Sequence, residues 1–332
     1  MIRSYTFSTQ GRLNSQDIEP FLMPTILADT QLFLWVDLED PTPEEVRMVL
    51  QDVFKFHPLS IEDCVNESSA PKIEEYLPKD DDLFSPYLFL VMHAVDYSRK
   101  DGVFATSELN FFLGRKFLVT FHDKELRSIE QAVETCGRKK SNVARAPDRV
   151  AHLLLDALVD NYRPALEELA LEISEIEDSV LDGAPKDSLN KIIQVKKEVF
   201  HLRQIMEPQR QVLSRLARGE FQLIRPKMVP YYRDVYDGLF RIYERAQTYT
   251  DSVTGILQVY LNLSSNQTGE VVKLLTMITL ITTPMMMVGS WYGMNFTTMP
   301  ELSSRWGYLT AAIVTGLSTA STYWYFKRKN WL

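Results

Sequence analysis

Cysteine is nearly missing from this chain: two in 332 residues, Cys64 and Cys136. Both fall in segments that read as ordinary helix, with no C-x-x-C spacing and no histidine beside them, which argues against a disulfide framework or a zinc site and fits a reducing compartment. The five histidines are scattered. Phosphate-binding glycine loops and nucleophile elbows are also lacking, so an enzyme reading has least support. No sizeable Lys/Arg cluster occurs before the C-terminus and the net charge is -8, which argues against nucleic acid as a partner. Acidic surface instead suits cations. The first residues, Met1, Ile2, Arg3, Ser4 and Tyr5, lack the apolar run of a secretory signal, so the N-terminal part is expected in the cytosol.

What is present is strongly segregated. About a quarter of the residues are charged, as in an ordinary soluble protein, but apolar residues crowd into the last sixty positions. The first 145 residues read as α/β. Strands are predicted at Leu32 to Val36, Tyr87 to Ala94, Leu109 to Leu113 and Phe117 to Phe121, the last two joined in hairpin style by Gly114, Arg115 and Lys116. A helix start is marked by Thr42 as N-cap, Pro43 at the first helical position and Glu45 three after the cap, followed by Val46, Val49, Leu50 and Val53. Asp80, Asp81 and Asp82 lie in a loop and read as a solvated turn.

From Pro147 the pattern turns helical. Glu167, Glu168, Glu172, Glu175, Glu177, Asp178 and Asp182 precede a break at Gly183, Ala184 and Pro185. The returning segment carries Lys191, Lys196, Lys197, Arg203, Arg210, Arg215 and Arg218, so an antiparallel hairpin of complementary charge is expected. After Pro226 and Pro230 a helix begins near Tyr231. Its apolar seam, Leu239, Ile242, Ala246, Tyr249, Val253, Ile256, Tyr260 and Leu263, alternates threes and fours in coiled-coil fashion. Without a strong breaker it runs on to Tyr292, on the order of 90 Å at about 1.5 Å per residue.

No charged residue occurs between Lys273 and Glu301, and none between Arg305 and Lys327. Each gap reaches the roughly 20 residues that cross a bilayer, so two membrane spans are expected. Trp306 and Tyr308 at one end of the second, and Tyr323, Trp324 and Tyr325 at the other, match interfacial aromatic belts. The basic tail, Lys327, Arg328 and Lys329, places the C-terminus in the cytoplasm, and two crossings return the N-terminus to the same side. In the first span Thr276, Thr279, Thr283, Met286 and Ser290 recur on one helical face. Such hydroxyls either bond their own helix or pack against the second span, or else they line a pore in a ring of identical subunits. Ala312, Gly316 and Ala320 give the second span a small-residue face for close packing.

The expected organisation is therefore a cytoplasmic α/β domain over 1–145, a helical hairpin region over 146–230, and a stalk helix over 231–295 continuing into the first transmembrane helix. An external loop over 296–305, a second transmembrane helix over 306–326 and a basic cytoplasmic tail over 327–332 complete it. At the outer end of the first span stand Tyr292, Gly293, Met294 and Asn295. Gly293 permits the helix to end in a left-handed or tight turn, and Asn295 presents an amide oxygen. Repeated around a ring, helix-end carbonyls and Asn oxygens form a collar of neutral acceptors suited to a hydrated magnesium ion.

The Gly-Met-Asn triplet after a Tyr, the Met299-Pro300-Glu301-Leu302 run and the basic tail together resemble the CorA family of magnesium/cobalt transport proteins, within the superfamily that bears the Gly-Met-Asn motif. The resemblance extends through Tyr232-Arg233-Asp234-Val235-Tyr236-Asp237, Asp160-Asn161-Tyr162 and His57-Pro58-Leu59-Ser60-Ile61-Glu62-Asp63-Cys64. It implies a funnel-shaped homopentamer in the inner or plasma membrane, passing Mg2+ and often Co2+ or Ni2+ down the electrochemical gradient, with Glu301 beside the selectivity loop. It also implies that internal Mg2+ bound between subunits holds the pore closed, through Asp63 and Asp234, with Glu62 and Asp156 for a second ion. Two positions depart from the family pattern: Thr283 stands where a bulky Met is common, and Gly269 where an Asn is frequent. The hydrophobic gate is then expected on Leu275 and Met286, with Val272 below. Two other readings compete, a proton-coupled Zn2+ transporter of the same superfamily and a membrane-anchored sensor or scaffold.

Overall fold

The computed structural model describes all residues except 67–69, 80–82, 101–102, 138–143, 184–186, 296–303, 330 and 332, and the side chains of 96–100 and 103. Asp80, Asp81, Asp82, Ala184, Pro185, Glu301 and most of the expected external loop lie outside the described residues. The chain divides into two compact units, one of residues 1–181 and 185–257, the other of 182–184 and 258–332.

The first unit is built on seven strands: β1 (Ile2–Ser8), β2 (Leu13–Gln16), β3 (Leu32–Glu39), β4 (Lys72–Tyr76), β5 (Tyr87–Lys100), β6 (Val103–Gly114) and β7 (Phe117–His122). They form one sheet in the order β2-β1-β3-β7-β6-β5-β4. Only the central β3–β7 pair is parallel; the other neighbours are antiparallel. The six inner residues of β3 and all of β7 are buried, as expected of strands covered on both faces.

Leu34, Val36 and Leu38 face a core with Met23, Val49, Leu50, Phe54 and Phe56. Those partners come from α1 (Met23–Ala28), from α2 (Pro43–Val46) with its π-helical continuation Arg47–Val53, and from the turn that follows. The capping box at Thr42 and Glu45 forms as the sequence predicts: Thr42 N–H donates to Glu45 Oε2 at 2.8 Å and Glu45 N–H to Thr42 Oγ1 at 3.3 Å. Beyond these come α3 (Pro58–Val65), α4 (Arg127–Gly137), α5 (Pro147–Asp160), α6 (Tyr162–Leu181) and α7 (Ser188–Ala217).

The α6–α7 hairpin rests on buried Leu166, Leu169, Ile173 and Ile176 and on Ile192, Val195, Val199 and Leu202. A polar knot fastens it to β5. Gln209 donates to the Tyr162 hydroxyl at 2.6 Å, that hydroxyl donates to the His93 carbonyl at 2.8 Å, and His93 N–H donates to Gln209 Oε1 at 3.2 Å.

α8 (Val229–Tyr292) is one helix of 64 residues that starts in the first unit and ends in the second. Leu239, Ile242, Ala246, Val253, Ile256 and Tyr260 of its predicted seam are buried. Pro284 sits inside it, a position the sequence reading passed over; the helix continues although Pro removes one backbone donor.

The second unit also contains α9 (Gly307–Arg328), of 22 residues. Among the described helices α8 alone is long and apolar enough by composition to cross a bilayer. α9 is uncharged over its middle, but Thr310, Thr315, Ser318, Thr319, Ser321 and Thr322 dilute its apolarity. Its small face, Ala312, Gly316 and Ala320, turns toward α8 and lines a groove of about 1090 Å³ with Met285, Gly289 and Tyr292. The expected close packing is thus an open groove within this single chain.

Candidate functional site

In the second unit α8 closes at Tyr292, and Gly293, Met294 and Asn295 follow as turn, bend and open chain. Gly293 N–H donates to the Gly289 carbonyl at 2.9 Å and Met294 N–H to Trp291 at 3.4 Å. A Cβ at position 293 would lie 2.9 Å from the Gly289 carbonyl oxygen, so a side chain there would push against backbone. Gly293 is not among the positive-φ glycines. Of the two expected endings, left-handed or tight turn, the helix takes the tight turn, and glycine serves its close approach. Asn295 and Met294 are exposed, as the mouth of a helix end requires.

Along the hydroxyl face, Thr276 donates to the Val272 carbonyl at 2.8 Å, Thr279 to Leu275 at 2.8 Å and Thr283 to Thr279 at 2.7 Å. Each proton goes to the helix's own backbone four residues earlier. That satisfies the hydroxyl in an apolar surrounding and leaves its oxygen lone pairs free to accept from water. The own-helix reading of this stripe is thus observed, and the geometry is compatible with a pore-lining role as well. Val272, Leu275 and Met286, the expected gate, are 56 %, 64 % and 62 % exposed, apolar surface that one chain does not cover.

In the first unit, α8 is tied to α5 at its start. Asp148 takes hydrogen bonds from the Arg225 guanidinium and, at 3.2 Å, from Arg225 N–H, while the Tyr232 hydroxyl donates to the Asp148 carbonyl at 2.7 Å. This clamp brings Asp156, eight residues along α5, into the field of Asp234, two residues beyond Tyr232. Burial, then the charges of Asp160 and Asp234, raise the Asp156 carboxyl above its ordinary value. Such carboxylates repel one another and favour a bound cation.

Asp63 and Glu62 belong to a different neighbourhood. Asp63 on α3 accepts from Lys72 Nζ of β4 at 2.6 Å, and Lys72 lies 3.4 Å from Glu74. Glu62 is exposed and lines an open cavity of about 1260 Å³ with Asp52, Lys55, His57 and Asp123. One chain thus groups Asp156 with Asp234, and Asp63 with Lys72.

His152, on the turn of α5 before Asp156, was not singled out from the sequence; a lone histidine on an apolar helix face gives no signal. It is 7 % exposed, with the Tyr231 ring at 5.6 Å and the Tyr232 ring at 5.8 Å. Burial, then the Arg149 charge, pushes its pKa down to about 4, against the pull of Asp234 and Asp148. The unfolded chain, with an ordinary imidazole near 6.5, takes up a proton that the folded chain refuses. His152 therefore stabilises the fold fully above about pH 6.5, and that contribution, on the order of 3 kcal/mol, is lost as pH falls toward 4. Denaturant unfolding of His152→Leu is expected to show a flatter acid limb than the parent; superimposable pH profiles would refute the assignment.

The sheet unit groups carboxylates, and α8 ends in the second unit as a helix long and apolar enough to cross a membrane. The model of the CorA-like Mg2+ transporter proteins matches residues 30–328. A cobalt/magnesium transport protein CorA of Thermotoga maritima is 32 % identical over 333 residues, covering 100 % of this chain and 92 % of the relative. A putative metal ion transporter, YfjQ, of Bacillus subtilis is 30 % identical over 302 residues, covering 90 % of this chain and 89 % of its own length. The solved structure of the CorA magnesium transporter from Methanocaldococcus jannaschii shares the fold with a TM-score of 0.82 at 20 % identity, covering 100 % of this chain and 99 % of that one. The chain belongs to the CorA family. It is a divalent-cation transporter, and not an enzyme.

Proposed function

We propose that the chain forms a homopentameric channel in the plasma or inner membrane, passing Mg2+, and also Co2+ and Ni2+, inward down their gradients. The observation that carries this is the Thr276, Thr279, Thr283 face of α8, whose protons are spent on its own backbone. Its oxygens face outward as acceptors for the waters of a hydrated cation. What sets this face apart from the similarly bonded hydroxyls of α9 is that it leads to Tyr292, Gly293, Met294 and Asn295 at the helix's end; a single helix encloses no pore, so a ring of copies is required. Met286 and Ser290 continue the face toward the selectivity collar of Tyr292, Gly293, Met294 and Asn295, with Glu301 beyond it. Val272, Leu275 and Met286 form the apolar constriction, and the outward apolar residues meet lipid.

α9 is the second span. Its hydroxyls fit that role because Thr315, Ser318 and Thr322 each donate to the carbonyl four residues earlier, at 2.9, 2.7 and 3.0 Å, which removes most of their cost in hydrocarbon. Both termini lie in the cytoplasm. Internal Mg2+ bound by Asp63 of one subunit with Asp234 of the next, and by Glu62 with Asp156, holds the pore closed. The separate neighbourhoods of these acids within one chain fit a site completed between subunits.

Flux into liposomes of Mg2+, Co2+, Ni2+ and Zn2+, with and without a pH gradient, tests the reading. Uptake of Mg2+ indifferent to the pH gradient is expected. Zn2+ uptake that requires the gradient would establish the proton-coupled carrier instead, and no flux of any ion would reduce the spans to anchors.

A further inference from the structure

One face of the central parallel strand pair is polar where its neighbours are apolar. Side chains alternate along a strand, so Asp37 and Glu39 of β3 share a face with Arg3 of β1, paired with Asp37, and with Thr120 and His122 of β7, paired with Asp37 and Glu39. Asp37 and His122 are 0 % and 1 % exposed, while the side chains of Glu39 and Arg3 remain 23 % exposed and give the group an edge on solvent. Ligand atoms of Asp37, Glu39 and His122 all lie within 4.8 Å of one another. Nothing in the proposed transport path or its regulation uses them.

The histidine is already oriented as metal ligands are. Its Nδ1 donates to the Lys124 carbonyl at 2.5 Å and, in the metal-free chain, its Nε2 donates to Asp37 Oδ1 at 3.2 Å, so an ion bound at Nε2 takes the place of that second proton. A backbone carbonyl that fixes one ring nitrogen while the other meets a carboxylate is the outer-shell arrangement of metal-bound imidazole. Two atoms bound to one ion at about 2.0–2.1 Å stand about 2.8–3.0 Å apart in octahedral geometry and about 3.3–3.4 Å apart in tetrahedral geometry, so that separation needs little adjustment. The fully buried Asp37 Oδ2 accepts no hydrogen bond, although Arg3 Nη2 is 3.1 Å away as an ion pair, and Arg3 Nε has no hydrogen-bond partner either. Arg3 also pairs with Glu39. The partly exposed Arg3 guanidinium thus shares with the His122 imidazole, whose pKa Asp37 holds up against burial, the positive charge that the two carboxylates require.

We propose that Asp37, Glu39 and His122 form a binding site for a borderline transition ion, Co2+, Ni2+ or Zn2+, with Arg3 as the displaceable cation that helps to neutralise the site when it is empty. An imidazole nitrogen beside two carboxylates favours such ions over Mg2+, which prefers oxygen alone. The site gives a divalent-cation transporter a means to register transition metal separately from magnesium. It does not depend on the channel reading above.

The test is Ni2+ binding to the full-length protein in detergent with saturating Mg2+, which occupies oxygen-only sites, read by calorimetry and by X-ray absorption for imidazole ligation. A Mg2+-resistant Ni2+ site with imidazole in its first shell is expected. Glu39→Gln and His122→Gln should each weaken it by at least about tenfold, Arg3→Gln should tighten it, and Asp234→Ala should leave it unchanged. Glu39 is partly exposed, so its variant keeps the test available if His122→Gln fails to fold. Unaltered Ni2+ affinity in Glu39→Gln, absence of imidazole ligation in the parent, full displacement by Mg2+, or loss of the site in Asp234→Ala would each overturn the proposal.

Discussion

Replacement of Asn295 by alanine is expected to reduce Mg2+ uptake into proteoliposomes to the level of protein-free vesicles, with assembly on gel filtration unchanged. Position 295 is exposed at the open end of α8, where alanine removes an amide oxygen and disturbs no core. Magnesium sheds its waters reluctantly, so a neutral collar holds the hydrated ion through those waters and lets it go again. In the proposed ring, alanine removes the amide oxygen from every subunit at once and leaves the collar only its helix-end carbonyls. Asn295→Asp sharpens the experiment: it keeps an oxygen and adds one charge per subunit, which binds the ion harder and is expected to slow its release. Uptake equal to the parent's in the alanine variant would sink the collar, and the hydroxyl face would then have to select the ion unaided.

Much of the fold was legible because several local signals coincided. Around Thr42, cap, Pro43 and Glu45 agreed, and the capping box formed as predicted. Strands β3, β5, β6 and β7 announced themselves as runs of branched and aromatic residues because both faces are covered. β1 and β4 did not. In β1 the polar Ser4 and Thr6 interrupt the apolar run, and they are buried because Ser4 Oγ bonds the Ile18 backbone and Thr6 Oγ1 the Ser15 carbonyl, partners supplied only by the folded chain. β4, with Lys72, Glu74 and Glu75, is charged as an edge strand must be to avoid pairing with strangers, and that charge hides it. In the long α8, periodicity outweighed Pro284.

The candidate site was legible in another way. Tyr292, Gly293, Met294 and Asn295 form a short motif whose meaning depends on the span before it, and of the two roles open to the glycine the structure has the tight turn with its close backbone approach. Asp156 and Asp234 are 78 positions apart in the chain, and no pattern relates them until the Asp148, Arg225 and Tyr232 clamp sets α8 against α5. The Asp37, Glu39 and His122 group was invisible for the same reason: it exists only once β3 and β7 pair in parallel and in register.

Asp234→Ala is expected to raise the internal Mg2+ needed for half-inhibition of current by about tenfold or more, a loss of at least about 1.4 kcal/mol of binding. Asp234 is exposed on α8, so the change removes charge without opening a cavity. Two carboxylates about 5 Å apart repel by roughly 3 kcal/mol at an effective dielectric near 20, and a divalent ion between them reverses that sign. Deleting one carboxylate removes both the repulsion and the reason for the ion to bind. Asp156 supplies an internal check, because its carboxyl is raised in part by Asp234. In Asp234→Ala that part vanishes and the Asp156 carboxyl should titrate lower, readable by carboxyl NMR in Mg2+-free solution. Current still fully blocked at the parent's internal Mg2+ concentration would remove Asp234 from the sensor. If Asp156 shifted as described in the same variant, the electrostatic grouping would stand while its regulatory use would not.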